Sequence, residues 1–386
     1  MRCSVGTCSV AIGTCLAFVV CSPLLAQDLN LPTREQEDEQ FSFHLGFFRQ
    51  TDGPGNLGGN PFIDEDETVY EAIIVLDQKM SERDRMNLRF LGDLVSSASI
   101  TRETNPMFQA LQSHPSGNKH AEVGFGWTHD YDDFKLGYNA SIGIEASEYV
   151  SAGWGLNLAV PLPGGNTQAT LKYQGYLDYF EVKLFNGEQP RRDQRLTHTL
   201  EGGLIQVLTP KTVASVTLNH TQQSGFLATT WHSVFVNGVE VSEQVPSSRR
   251  RDSVTVRVRQ SLSKLNAVEL GYRFYDDDWG IRSETYEARY FQYVFDKKLL
   301  IEPNYRYYDQ TGARFFDQVF SVPLDFMTSD PDLGNFHGRS VGLKGTWIRT
   351  GWLPGRKADL SLSYDYYRRS DGIDFYWTVF GYTVKF

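Results

Sequence analysis

At 386 residues the chain carries 47 acidic against 37 basic side chains, and a formal charge of −10 excludes a nucleic-acid partner. A mean hydropathy of −0.38 excludes a bundle of membrane helices. Aromatic residues nevertheless make up 13% of the chain, twenty Tyr and seven Trp among them, a load that an ordinary soluble enzyme does not carry.

The first predicted element is a leader. Arg2, the apolar run Ala11–Val20 and a cut after Ala26 lay out a cleavable secretory signal peptide over residues 1–26. A retained anchor is the alternative, opposed by Pro23 and the polar stretch that follows. Cys3, Cys8, Cys15 and Cys21 all lie inside this leader, and Gly13-Thr14 and Val19-Val20 make poor lipoprotein boxes. The mature chain is therefore expected to have no cysteine, which excludes disulfide staples, thiolate metal sites and covalently attached c-type haem. Residues 27–40, with the run REQEDEQ, read as a short polar periplasmic segment. It is too small for a folded plug, which disfavours a TonB-coupled transporter.

From Phe41 onward the sequence becomes a series of alternating segments. FSFHLGFFRQ comes first. TVYEAIIVLDQ turns at Met80–Arg83 into DRMNLRFLGDLVSSASI, and AEVGFGWTHD passes through YDD into FKLGYNASIGIEA. SAGWGLNLAVPL turns at Pro163–Asn166 into ATLKYQGYLDYFEV, and LTHTLEGGLIQVL at Thr209–Lys211 into VASVTLNHTQQ. SVTVRVRQSL turns at Ser263-Lys264 into NAVELGYRFYDD, and SETYEARYFQYVF at Asp296-Lys297 into LLIEPNYRYYDQ. SVGLKGTWIRT turns near Pro354-Gly355 into ADLSLSYDYYRR, and FYWTVFGYTVKF closes the series. That makes about sixteen strands, with 14 to 18 as the range.

Every second connection is a short turn. The others are long: Thr51–Glu67, Thr101–Asn118, Asn186–Arg195, Gly225–Arg249 and Asp309–Phe336. Short turns on one rim and long loops on the other predict an all-β fold, a transmembrane antiparallel up-and-down β-barrel over residues 41–386, with short periplasmic turns and long extracellular loops.

The faces agree. Val254, Val256 and Val258 oppose Thr255, Arg257 and Arg259, while Leu360, Leu362, Tyr364 and Tyr366 oppose Asp359, Ser361, Ser363 and Asp365. About sixteen strands enclose a space too wide for side chains to fill, so the apolar face belongs to lipid and water sits within. A charge on the lipid face costs roughly 2–4 kcal/mol near the midplane. Trp127, Tyr138, Tyr307, Trp347 and Tyr366 suit interfacial girdles. Phe380, Tyr382, Val384 and Phe386 resemble the C-terminal insertion signal of such barrels, which implies the barrel-assembly machinery as a partner.

LGDLVSSASI, HTLEGGLIQVLTPKT, SGFLATTWHSV, YRFYDDDWGI and IEPNYRYYDQTGARFF together resemble the bacterial family catalogued as domain of unknown function 3570. The resemblance implies an outer-membrane barrel. Through the thioredoxin-like and flavin-transferase proteins beside which the family occurs, it also implies extracytoplasmic redox work. Many members carry Gly-Phe-Leu-Asn-Asn-Pro-Tyr-Arg where this chain has Thr229, Thr230, Trp231 and His232 in the last positions.

The main candidate site is a charged inward ladder: Arg257, Arg259, Glu269, Arg273, Glu287, Arg289, Glu302, Arg306, Lys344 and Asp359. It reads either as the lining of a pore with weak ion selectivity or as a self-neutralising cross-strand network. Asn237-Gly238 marks a hairpin in the Gly225–Arg249 loop, expected to extend two strands above the membrane, with an inward constriction as the alternative. Arg249-Arg250-Arg251 suits lipopolysaccharide phosphates or is a solvated run. The acidic clusters Asp64–Glu67 and Asp276–Asp278 offer carboxylates that could recruit divalent cations at the same surface, although neither has the spacing of a calcium loop. No metal, cofactor or catalytic set is expected, although His198, His220 and Ser215 on neighbouring strands leave a barrel-wall hydrolase open.

The expectation is a non-enzymatic protein of a Gram-negative outer membrane, in contact with lipid and lipopolysaccharide, passing small solutes. A non-conducting scaffold for an envelope redox or assembly system, with unknown protein partners, is the alternative.

Overall fold

The alternating segments become strands in the computed structural model, which describes residues 39–51, 67–97, 118–145, 149–182, 184, 186, 188, 191–229, 232–348 and 357–386. Residues 1–38, where the leader and the polar segment are expected, the connections 52–66 (with Asp64 to Asp66) and 98–117, Thr230, Trp231 and the Pro354-Gly355 turn lie outside the described residues. The strands begin with β1 (Gln40–Thr51), β2 (Glu67–Lys79), β3 (Asp84–Ser97), β4 (Asn118–Asp130), β5 (Lys135–Glu145) and β6 (Tyr149–Pro161). Next come β7 (Thr167–Val182), β8 (Arg191–Thr209), β9 (Thr212–Gly225), β10 (Ser233–Val236), β11 (Val239–Ser242) and β12 (Ser248–Ser261). The last are β13 (Asn266–Asp277), β14 (Arg282–Val294), β15 (Leu299–Gln310), β16 (Phe336–Trp347), β17 (Lys357–Arg369) and β18 (Asp374–Lys385).

Among the described residues, sixteen of these strands form one closed antiparallel barrel in chain order, and β10 and β11 form a separate two-stranded sheet. Closure runs through β1 and β18, paired without a break from Gln40↔Lys385 to Thr51↔Asp374. The ends of β1 and β18 therefore share one rim, here the terminal rim, with the turns at 80–83, 131–134, 162–166, 210–211, 262–265 and 295–298. The opposite rim is called distal. The closed ladder satisfies the backbone groups that lipid cannot, which is the condition for spanning a bilayer with strands.

Side-chain exposure decides which face is oily. Ile142, Leu270 and Val341 point outward and are 62, 58 and 61% exposed, an arrangement no water-facing wall sustains over so many strands. The rings of Tyr70, Phe47 and Tyr376 follow one another around the outside of β2, β1 and β18 at centroid distances of 5.2 and 6.0 Å. Tyr272, Tyr286 and Tyr307 do the same on β13 to β15, 5.1 and 6.5 Å apart. Such belts fit the level of lipid headgroups.

Two expectations need correction. Loop length does not segregate completely: the distal connections between β5 and β6, β13 and β14, and β17 and β18 are three or four residues long, while the terminal-rim connection between β16 and β17 runs from 348 to 356. The β13–β14 turn stays short because the Asp277 carboxylate accepts the Ile281 N–H at 2.9 Å, closing the turn on itself. The lumen is also not uniformly polar. Phe48, Val69, Ile73, Leu91, Phe375, Trp377 and Val379 project inward from β1, β2, β3 and β18 and form one buried apolar cluster. β1 and β3 each contribute a single side chain, Phe48 and Leu91, from inward faces that are otherwise largely polar, so strand register rather than the alternation of any one strand gathers the cluster.

Candidate functional site

The ten ladder residues all lie on the inward face, and strand register gathers them into rungs. Arg257, Gly271, Glu287 and Arg306 are successive partners across β12 to β15. Arg257 and Arg306 approach the Glu287 carboxylate at 3.5 and 3.7 Å from either side. The next rung toward the terminal rim runs Arg259, Glu269, Arg289, Asn304, Gly342 and Asp365. In it Arg259 holds Glu269 at 2.8 Å while Arg289 stands 3.9 Å from the same carboxylate. Glu302 faces Lys344 across β15 and β16, and Asp359 pairs in register with Thr383. Arg273 lies over the Tyr275 ring at 5.3 Å and Arg306 over Tyr308 at 5.4 Å.

Two glycines make these bonds possible. Gly271 stands between Arg257 and Glu287, and a Cβ there would come within 3.3 Å of a Glu287 oxygen. Gly342 stands between Asn304 and Asp365, whose side chains bond at 3.1 Å across the space a Cβ would fill. Side chains two strands apart can meet only where the strand between them carries no side chain. The network reading and the lining reading thus describe the same residues, with signs interleaved and no single-sign track.

A second buried charge pair was not legible from local pattern. Asp178 on β7 takes the Arg195 guanidinium at 2.9 and 3.0 Å and the hydroxyls of Tyr149 and Ser151 at 2.9 and 2.7 Å. Ser151, Asp178 and Arg195 are in-register partners on β6, β7 and β8, so alternation plus pairing would have found them.

At the distal rim the loops fold inward. Leu227 and, from the 311–335 connection, Ala313 and Leu333 pack with Tyr275, Tyr308 and Phe336, the inward-facing residues at the strand ends. Arg369 on β17 grips this loop, donating to Asp332 Oδ1 at 2.5 Å and the Pro331 carbonyl at 2.8 Å, with its guanidinium 3.6 Å from the Phe336 ring centroid. The Asn237-Gly238 turn forms as expected, with φ of 46° and 84° as a two-residue hairpin requires. Its strands do not extend β9 and β12 upward, however. The β10–β11 hairpin docks on the 311–335 connection: Asn237 donates to the Phe320 carbonyl at 2.8 Å, and Gln244 and Met327 exchange bonds of 3.0 and 2.7 Å. Val234, Val236, Phe320 and Met327 bury one another in that contact, so apolar content pulled the hairpin onto the neighbouring loop.

This cap also brings His232, Glu243 and Asp330 together, three buried groups whose ligand atoms lie within 4.8 Å of one another. No spacing in the sequence signals it.

Alternation divides three groups that the sequence suggested as single sites: the arginine run, the Asp276–Asp278 cluster and the His198, His220 and Ser215 set. Arg249 and Arg251 face inward and are buried, leaving Arg250 as the outward member of the run. Arg249 holds Asp277 at 2.5 and 3.0 Å and lies 4.2 Å from the Trp279 ring centroid. Asp276, Asp277 and Asp278 are split, Asp276 pairing with Arg282 at 2.7 Å on the outside and Asp277 with Arg249 within. His198 and His220 both lie on the outer face, bonded to Tyr173 at 2.8 Å and Asp252 at 2.6 Å, whereas Ser215 faces inward. The wall stands between the hydroxyl and both imidazoles, so they form no catalytic set. Phe380, Tyr382 and Val384 share the outer face of β18, and the Phe386 N–H bonds the Glu39 carbonyl at 2.8 Å.

The chain is similar to several solved structures. A bacterial polysaccharide outer membrane secretin aligns over 90% of this chain and 98% of its own, with a TM-score of 0.50 and 9% identity. OpdK from Pseudomonas aeruginosa aligns over the same 90% and 98%, with a TM-score of 0.45 and 10% identity. The siderophore receptor PirA from Acinetobacter baumannii matches with a TM-score of 0.44 and 10% identity over 85% of this chain, which spans 53% of that receptor's length. Comparison with curated proteins gives no match. The profile of one family covers residues 138–383, the stretch that contains most of the charged wall and the whole distal cap: the chain belongs to the family described as protein of unknown function, DUF3570.

Proposed function

We propose that this chain is a pore of the Gram-negative outer membrane that passes small polar solutes through a lumen narrowed at the distal rim by its own loops. The observation that carries the reading is the inward charged wall on β12 to β17, whose rungs of alternating sign suit weakly selective passage of small ions and neutral polar molecules. In this reading residues 1–26 are the cleaved leader, the barrel-assembly machinery inserts the chain, and lipid and lipopolysaccharide surround it. The activity is passage rather than catalysis. Deleting Phe235–Val241 removes the turn that docks on the 311–335 connection, and single-channel conductance in planar bilayers should rise above that of the full-length protein. Equal conductance in the two would contradict the constriction.

The inward apolar cluster around Phe48 and Trp377 favours a second reading, a non-conducting scaffold for an envelope redox or assembly system. Absence of any conductance step, before and after the deletion, supports that reading over the pore.

A further inference from the structure

We propose that His232, Glu243 and Asp330 bind one divalent transition-metal ion, and that this ion clasps the 226–247 connection to the 311–335 connection across the distal rim. His232 precedes β10, Glu243 follows β11, and Asp330 caps the 3-10 turn Pro331–Leu333. Nothing in the pore reading requires the ion, and the proposal stands or falls apart from conductance.

Charge is the first argument. The Glu243 and Asp330 side chains are 1 and 5% exposed, and among the described residues His232 is the ionic partner of both. One imidazolium offsets one of two carboxylates. A buried charge left uncompensated is costly, and a dication balances the pair with the imidazole neutral.

Distance is the second. His232 Nδ1 lies 3.6 Å from Glu243 Oε2 and 3.8 Å from Asp330 Oδ2. These separations exceed a hydrogen bond. They match the ligand-to-ligand edge of roughly 3.4 Å that a tetrahedral ion makes with bonds of about 2.1 Å.

The third argument is orientation. Glu243 accepts the Thr328 hydroxyl at 2.6 Å on Oε2 and the Thr229 N–H at 2.8 Å on Oε1. Asp330 accepts the Asp332 N–H at 2.9 Å on Oδ1 and the Thr229 hydroxyl at 3.3 Å on Oδ2. Both carboxylates are thus held by outer hydrogen bonds, as ligating carboxylates are. One imidazole nitrogen with two carboxylate oxygens and no sulfur suits Zn²⁺ or Mn²⁺; Ca²⁺ asks for six to eight oxygens.

The test uses the untagged mature protein refolded in detergent, stripped with EDTA, and titrated calorimetrically with Zn²⁺ and separately with Mn²⁺. Saturable uptake of one ion per chain is expected, weakened at least tenfold in Glu243→Gln and in Asp330→Asn and unchanged in Glu240→Gln on the same hairpin. No saturable uptake of either ion, or uptake that survives both substitutions, overturns the proposal in favour of a cluster that merely shares protons. Should the variants fail to refold, zinc-edge absorption on the wild-type protein decides. One imidazole with oxygen neighbours supports the clasp, and two or more imidazoles point to surface histidines and overturn it.

Discussion

The Asn304–Asp365 bond shows how much a single missing side chain does. It spans two strands, and Gly342 lies under it with no Cβ to obstruct the 3.1 Å contact. Gly342→Ala is expected to push the two side chains apart and leave a buried carboxylate without its amide, at a cost of about 1–3 kcal/mol. Urea unfolding in lipid vesicles measures this. Gly345→Ala, where a Cβ would meet only Leu299 at 4.0 Å, is the control and should unfold like the parent. The same residue-scale logic explains the Arg249–Arg251 run. Three consecutive arginines look like one solvated patch, but a strand sends neighbours to opposite faces, and here the alternation continues past the membrane to the last turn.

Among the elements, the β10–β11 hairpin is the one whose form was legible and whose position was not. Asn237-Gly238 between two apolar triplets specifies a turn with positive φ at both residues, and that turn is present. Where a hairpin docks depends on a partner about 80 residues away, Phe320 and Met327, for which no local pattern exists. The His232, Glu243 and Asp330 cluster escaped for the same reason. Strands β12 to β17 were readable because they are apolar on one face and charged on the other. Strands β1 to β3 and β18 were readable as strands, but the inward cluster was not, because β1 and β3 each give it one side chain from a largely polar face and only the register brings them together. Gly238→Val should strain the turn by roughly 1–2 kcal/mol, because a left-handed residue with a Cβ is disfavoured. Its expected consequence is faster proteinase cleavage within 226–247 with the barrel's own melting unchanged, and an unaltered cleavage rate would count against the docking described.

The whole molecule is a wall with oil outside and charge within. Among the described residues sixteen paired strands close on themselves with no open edge, so the barrel wall presents side chains to its surroundings, and their sorting decides the solvent on each side. The sorting changes between adjacent residues: Leu343 on β16 is 53% exposed on the outer face, and Lys344 beside it belongs to the inner ladder. Every cysteine of the sequence lies within the first 21 residues, so a single cysteine introduced into protein produced without residues 1–26 can be labelled cleanly. The most direct measurement places a fluorophore at Leu343→Cys or at Lys344→Cys in vesicle-reconstituted protein and compares quenching by a lipid-borne and a water-soluble quencher. The account predicts that the lipid quencher acts on position 343 and spares 344. Equal quenching at the two positions, or the reverse order, would contradict it.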